Sequence, residues 1–395
     1  MKSYKRLFSR ALGAAPGRLH FAAHSHHLWP DASYVGHVQA WDDAAGLADH
    51  KWEKVFGEVI PAAQRHVARE LNLPDPSTIA FGPNTHELVQ RLFSAKFEQS
   101  PLDVLTSDGE FHSFRRQIAR WEEQGMVRRR IVPCEPFETF TDRYLSAVAE
   151  GAPDIAFVSH VMYQTGLRFG GIDTLASFAQ PNGTWVVIDG YHAFMAFPVD
   201  LSRVCDRVFY IAGGYKYAMA GEGVGFLHAP PGFAPRPVNT GWFAEFANIE
   251  AHTTGVPYSR DGARFMGATF DPSAIYRFNA VRDMLEAEGL NTAAIYSRTK
   301  ALRDKLEAAF SEDAASMLGH AIILRPNFAG PRPRYISLRD DRAMEWKIKL
   351  LEHNVITDAR GDVLRIGLGL YHDETDVIAL CDKIARAEFE NKKSS

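Results

Sequence analysis

Short apolar runs alternate with longer amphipathic stretches through the middle of the chain. Ile79-Ala-Phe81, Asp103-Val-Leu-Thr106, Arg130-Ile-Val-Pro133, Asp154-Ile-Ala-Phe-Val-Ser159, Trp185-Val-Val-Ile188 and Arg207-Val-Phe-Tyr-Ile211 read as strands, because runs without polar alternation suit strands covered on both faces. A seventh apolar stretch ending at His228 follows the glycine-rich turn from Gly221. Helical patterns separate most of these runs. The alternation predicts an α/β fold: a large, mostly parallel seven-stranded sheet with helices on both faces.

Outside that region the period changes. Tyr4, Leu7, Phe8, Ala11 and Leu12 fall at i, i+3, i+4, i+7 and i+8, an amphipathic helix that Gly17 would end. Residues 39–72 read as long helical segments broken near Pro61, and 282–310 as another helical stretch leading into a terminal α/β portion. At 395 residues, 46% of them hydrophobic, the chain exceeds the usual limit for one core. The expected division is a large domain over 61–284 and a smaller α/β domain built from 1–60 and 285–395.

Charge narrows the partners. A formal net charge of −4 gives no global basic field, so neither nucleic acid nor an anionic membrane is an expected partner. Arg128-Arg129-Arg130 reads as the solvated lead-in to the strand at Ile131. Cys134, Cys205 and Cys381 are scattered without C-x-x-C spacing, which fits a reducing compartment with all three thiols buried. No apolar run approaches the roughly 18 residues of a membrane span, and a cytoplasmic location is expected. His24 and His26, on an extended segment, would share one face, but no third ligand lies near in sequence, so no metal is expected.

The chemistry concentrates at strand ends. Lys216, in Gly213-Gly214-Tyr215-Lys216-Tyr217, lies twenty-seven residues after Asp189, a separation typical of two neighbouring strands. A lysine and an aspartate so placed suggest pyridoxal 5'-phosphate: the amine would hold the cofactor aldehyde as a Schiff base, and the carboxylate would keep the pyridine nitrogen protonated. Asn84-Thr85, with Asn84 and Glu87 spaced as a capping box, would open a helix whose free amides face the phosphate. Phe111 could cover the ring face, with His112 its rival. Tyr163 could reach the phosphate or the Schiff base, and Gln164 the ring hydroxyl. In a parallel sheet, ligands sit beyond the carboxyl ends of the strands, where these residues fall.

Taken in order, Asn84-Thr85, Glu110-Phe111, Ser159-His-Val-x-Tyr-x-Thr-Gly166, Asp189-x-x-His192, Tyr215-Lys-Tyr217, Gly241-Trp242, Met266-Gly-x-Thr269 and Arg360-Gly-Asp-Val-Leu-Arg365 resemble kynureninase, within the class V aminotransferase group of fold type I pyridoxal phosphate enzymes. The resemblance implies that Tyr215 donates to the phosphate, that His192 lies beside Asp189, and that Trp242 and Thr269 come from the partner subunit of a homodimer with a shared active site. It implies that Arg365 clamps the α-carboxylate of a small amino-acid substrate. A planar guanidinium is suited to that task. The chain departs from the family at His24-Ser25-His26-His27, where Asn-Ser-Leu-Gly is usual, and at Met162, Phe114 and Ala268-Thr269-Phe270. His24 and His26 are then expected on a substrate-facing loop.

The reaction implied is hydrolysis of the Cβ–Cγ bond of kynurenine or a related amino acid, giving an aromatic acid and alanine, with Lys216 as base and Asp189 and Tyr163 in support. The alternatives are a class V aminotransferase or other α,β-elimination lyase on a different amino acid, and a noncatalytic cofactor-binding protein. Persulfide chemistry would need a mobile thiol in a late loop, and residues 315–360 contain no cysteine.

Overall fold

The computed structural model describes residues 2–248, 254–312, 321–324, 326 and 330–394. The apolar runs form β1 (Ile79–Gly82), β2 (Leu102–Ser107), β3 (Val127–Val132), β4 (Ile155–Ser159), β5 (Trp185–Asp189), β6 (Val208–Gly213) and β7 (Gly225–His228). They make one sheet in the order β1-β7-β6-β5-β4-β2-β3. Neighbours pair in parallel from β6 to β3, whereas β7 runs antiparallel to both β1 and β6. Only residues 214–224 join β6 to β7, too few for the helical crossover that a parallel return needs. Every residue of β4 and β6 is buried, as a doubly covered sheet requires.

Helices α1 (Asp31–Leu47) and α2 (Ile60–Leu71) precede the sheet, and α3 (Thr85–Ser94), α4 (His112–Glu123) and α5 (Phe140–Gly151) connect its strands. Pro61 sits in the first turn of α2, and the irregularity expected there falls on the wide turn Val55–Val59 just before it. A proline in a first turn sacrifices no hydrogen bond. Near the N-terminus a 3-10 turn at Lys5–Phe8 runs into a short helix at Ser9–Gly13, with Leu7 and Phe8 buried.

After α6 (Ser273–Ala287) and α7 (Thr292–Glu312), a second sheet holds β8 (Ile322–Ile323), β9 (Tyr335–Arg339), β10 (Asp358–Arg360) and β11 (Val363–Gly367), ordered β10-β11-β9-β8 and antiparallel. It packs with α7, α8 (Ala343–Glu352) and α9 (Glu374–Ser394) around Leu302, Leu306, Trp346, Leu364 and Leu380. The first sixty residues serve both cores. Phe8, Leu28, Val55 and Val59 join the core of the large sheet, while Phe21 joins the smaller one and Leu19–His20 pairs with Val355–Ile356.

Two expectations need correction. The three arginines are not a lead-in: they lie inside edge strand β3, with Arg128 and Arg130 on Asp103 and Arg129 on Glu122, charges that keep an exposed sheet edge from pairing further. Of the cysteines only Cys134 is buried; Cys205 and Cys381 are half-buried, and all three are free thiols. Among the described residues, no helix is long and apolar enough to cross a membrane.

Candidate active site

The carboxyl ends of β4, β5 and β6 open into a cavity of about 420 Å³. Lys216 follows β6 and reaches it with only 8% of its surface exposed. The backbone leading to it is packed too closely for any side chain, since a Cβ on Gly213 would stand 2.7 Å from both the Tyr191 hydroxyl and the Val224 carbonyl oxygen. Burial, then the charge of Arg365, brings the Lys216 amine down to about 7, because low polarity disfavours the ammonium form. Asp189 pulls the other way.

Asp189 ends β5, beside β6 in the sheet. Its Oδ1 accepts the Tyr191 backbone N–H at 2.9 Å, and burial raises the carboxyl to about 6. His192 shares the cavity wall and is 5% exposed. Burial, then Lys216 and Arg365, hold its imidazole well below the ordinary value, so it is neutral, and its Nε2 has no partner.

The opposite end is built from backbone. Asn84 caps α3, its Oδ1 accepting the Glu87 N–H at 2.9 Å, and Asn84, Thr85 and His86 line the cavity. The reciprocal contact joins side chains, Asn84 Nδ2 to Glu87 Oε1 at 3.4 Å. Tyr215 lines the wall and bonds His26 Nδ1 through its hydroxyl at 3.0 Å. Phe111, just before α4, presents its ring to the cavity with the Lys216 Nζ 5.7 Å from its centroid. The rival His112 is instead tied to the Tyr163 hydroxyl at 3.2 Å, with the Tyr163 ring edge-on to Phe111.

Arg365 enters from β11 of the second sheet, 2% exposed. Its Nη1 donates to the Tyr163 carbonyl oxygen at 2.5 Å and its Nη2 to Asp358, leaving Nε unpartnered. Arg360 faces the cavity from the adjoining hairpin, 3.1 Å from the same Asp358.

Three expected residues stand elsewhere. Gln164 does not line the cavity; its amide donates to the Arg360 carbonyl at 3.1 Å, so the ring-hydroxyl role has no support. The segment at His24 is a turn rather than an extended strand, since the Ser25 and His26 amides both bond the Ala22 carbonyl. His24 is therefore fully buried, stacked 4.8 Å from Tyr335, and His26 is held by Tyr215; Ser25 reaches the cavity instead. Trp242 and Thr269 bond each other at 3.2 Å on the exposed surface, outside this chain's own cavity.

Sequence reasoning assigned no role to Tyr191, Ser159 or Arg360, although each lines the cavity and lies in or beside a quoted motif. The sequence likewise gives no role to Glu110, which lies beneath the floor. Strand-end position was the available signal. Phe114, stacked on Phe157 at 3.7 Å, closes one wall with carbon alone.

These residues suit a flat, nitrogen-containing aromatic aldehyde bearing a phosphate. An amine and a carboxyl face one space, a capped helix N-terminus closes one end, and His192 and Arg365 keep buried nitrogens without partners among the described residues. The aminotransferase class V family model matches residues 37–319. The chain belongs to that family, and its cofactor is pyridoxal 5'-phosphate. The chain is 28% identical to isopenicillin N epimerase of Streptomyces clavuligerus over 340 residues, 78% of this chain and 80% of that protein. The solved complex of the cystine C-S lyase C-DES with its product cysteine persulfide superposes with a TM-score of 0.80 at 18% identity, covering 95% and 99% of the two chains. Apo cysteine desulfurase from Thermococcus onnurineus NA1 gives 0.78 at 15%, covering 99% of each. Both share the fold. These relatives support the class V assignment and leave the narrower resemblance to kynureninase without support.

Proposed function

We propose that this chain catalyses a transferase or lyase reaction on an α-amino acid other than kynurenine, beginning with removal of the Cα proton. The observation that carries the reading is the buried Lys216 amine, held near neutrality in the cavity that also contains Asp189 and Arg365. When bound, pyridoxal phosphate supplies an aldehyde for the amino group and a ring that accepts the electron pair left at Cα. Arg365 orients the substrate carboxylate with the donors it has left. Asp189 holds a proton at the ring nitrogen. The free Lys216 Nζ would take the Cα proton, which it can do only when it carries none itself.

Cleavage of kynurenine has less behind it. Phe114 turns a ring already stacked on Phe157 toward the substrate space and offers nothing to an arylamine. A cysteine-mediated desulfurase reading is weakened by the lack of cysteine between 315 and 360. A homodimer is part of the proposal: Trp242 and Thr269, exposed and away from their own cavity, would complete the neighbouring subunit's phosphate site.

The test is α-proton exchange in heavy water with a panel of amino acids, with products identified by mass spectrometry. The reading expects exchange that falls off below about pH 7, as Lys216 becomes protonated, together with a keto acid or elimination product. Absence of exchange with every amino acid would refute it. Alanine and an aromatic acid formed from kynurenine would restore the hydrolytic reading.

A further inference from the structure

Directly under the floor of the cavity lies a carboxyl group that the chemistry above does not use. Glu110 is 0% exposed and precedes Phe111, the ring that faces Lys216. Its Oε1 accepts the Ser107 hydroxyl at 2.6 Å and the Ser159 amide at 3.2 Å, and its Oε2 accepts the Ser159 hydroxyl at 2.5 Å. One side chain thereby ties together the ends of β2 and β4 and the turn into α4. Ser159 borders the cavity and pairs in register with Asp189. Only a single hydroxyl separates the buried carboxyl from the space beside Asp189.

We propose that Glu110 is a positioning residue whose proton is coupled, through Ser159, to Asp189 and the bound cofactor ring. The inference rests on the cofactor occupying this cavity. A serine hydroxyl has one hydrogen to give. When Glu110 is ionised, that hydrogen points down to the carboxylate. When Glu110 carries the proton, the carboxyl donates to the Ser159 oxygen and the serine hydrogen is free to turn toward the cavity. Protonation thus reverses the direction of the bond and removes a negative charge from beneath the ring, without moving the backbone.

The surroundings favour a proton that can come and go. Among the described residues no cation pairs with Glu110. The groups facing it are Ser107 at the end of β2, Cys134 after β3, Tyr144 from α5, Ser159 from β4 and Asp189 from β5, with Asp108 beyond Cys134. Burial keeps the Cys134 thiol and the Tyr144 phenol in their neutral forms. Burial also raises the Glu110 carboxyl to about 7, while the two serines oppose the rise and Asp189 adds to it. Both protonation states are therefore accessible near neutrality.

Two titrations separate the parts of this proposal. In apoenzyme, the infrared carbonyl stretches of the two buried carboxyls, Glu110 and Asp189, should disappear as pH rises through neutrality, and Glu110→Gln should lose the component that titrates higher while keeping that of Asp189. In holoenzyme, the visible cofactor band is titrated. Loss of a nearby negative charge makes protons less tightly held, so the midpoint in Glu110→Gln should lie below the wild-type value by about half a unit or more, and Glu110→Asp should recover much of it. Ser159→Ala should keep the infrared band but shrink the effect on the visible midpoint. An unchanged midpoint in Glu110→Gln, or an infrared titration that is the same in Glu110→Gln and the wild type, would overturn the proposal. Failure of the wild type to form any visible band would reject the cofactor reading, and the proposal with it.

Discussion

Burial sets the chemistry of Lys216. A solvated lysine is protonated at neutral pH and cannot accept a proton from carbon, whereas one sealed under Tyr191 and Phe111 beside the Arg365 guanidinium is held near 7. Asp189 shows the opposite shift from the same cause, raised to about 6. Burial frees the Lys216 amine to act as a base, while Asp189, at about 6, still carries at neutral pH the charge that would hold a proton on the ring nitrogen. Residue type and strand-end position were enough to single out Lys216, Asp189 and Tyr163 as candidates, whereas His192 and Arg365 came only from the family resemblance. Their protonation was not legible, because it depends on neighbours far apart in the chain: Arg365 lies in another sheet.

At the scale of elements, the phosphate-facing end depends on how closely α3 approaches β7. A Cβ on Gly225 would fall 2.7 Å from the Asn84 carbonyl carbon and 2.9 Å from the Thr85 nitrogen, and backbone cannot yield as a side-chain tip does. Gly225→Ala should push the first turn of α3 off the sheet and raise the cofactor dissociation constant about tenfold, or about 1.4 kcal/mol, while the far-ultraviolet circular dichroism stays unchanged. Absorbance titration with pyridoxal phosphate checks this; unaltered affinity would show that these amides do not bear on the phosphate. The strands themselves were readable from apolar runs. The direction of β7 was not, since such a run carries no polarity, and only the brevity of residues 214–224 decides it. The turn at His24–His27 was equally hidden, because the packing of His24 against Tyr335 and Gly367 comes from a sheet more than 300 residues away.

The whole molecule carries an unusual store of neutral histidines. Burial lowers His20, His24, His27, His160, His192, His228 and His372, with His20 and His228 brought to about 4 and His160 to about 3. Unfolding exposes them at about 6.5, so below that pH the unfolded chain binds more protons and stability falls as pH drops, by up to about 1.4 kcal/mol per unit for each histidine. Glu110 and Asp189, raised rather than lowered, have the opposite sign between about 4 and 7; two carboxyls do not outweigh seven imidazoles. Urea unfolding of apoenzyme should show a steep loss of stability from pH 6.5 to 5, and a flat profile would contradict the burial of these rings. The α/β architecture was legible in the chain as a whole because every strand of the large sheet except the arginine-bearing edge strand β3 is a short apolar run. The reaction was not: the Phe114–Phe157 wall and the turn that brings Ser25 to the cavity are set by contacts distant in sequence, which local patterns do not shape.

Reduction of the holoenzyme with borohydride, followed by peptide mass spectrometry, tests the central claim most directly. The account predicts one phosphopyridoxyl group, fixed on the Nζ of Lys216 and absent from Lys216→Ala. A label on any other lysine, or no label at all, would contradict it.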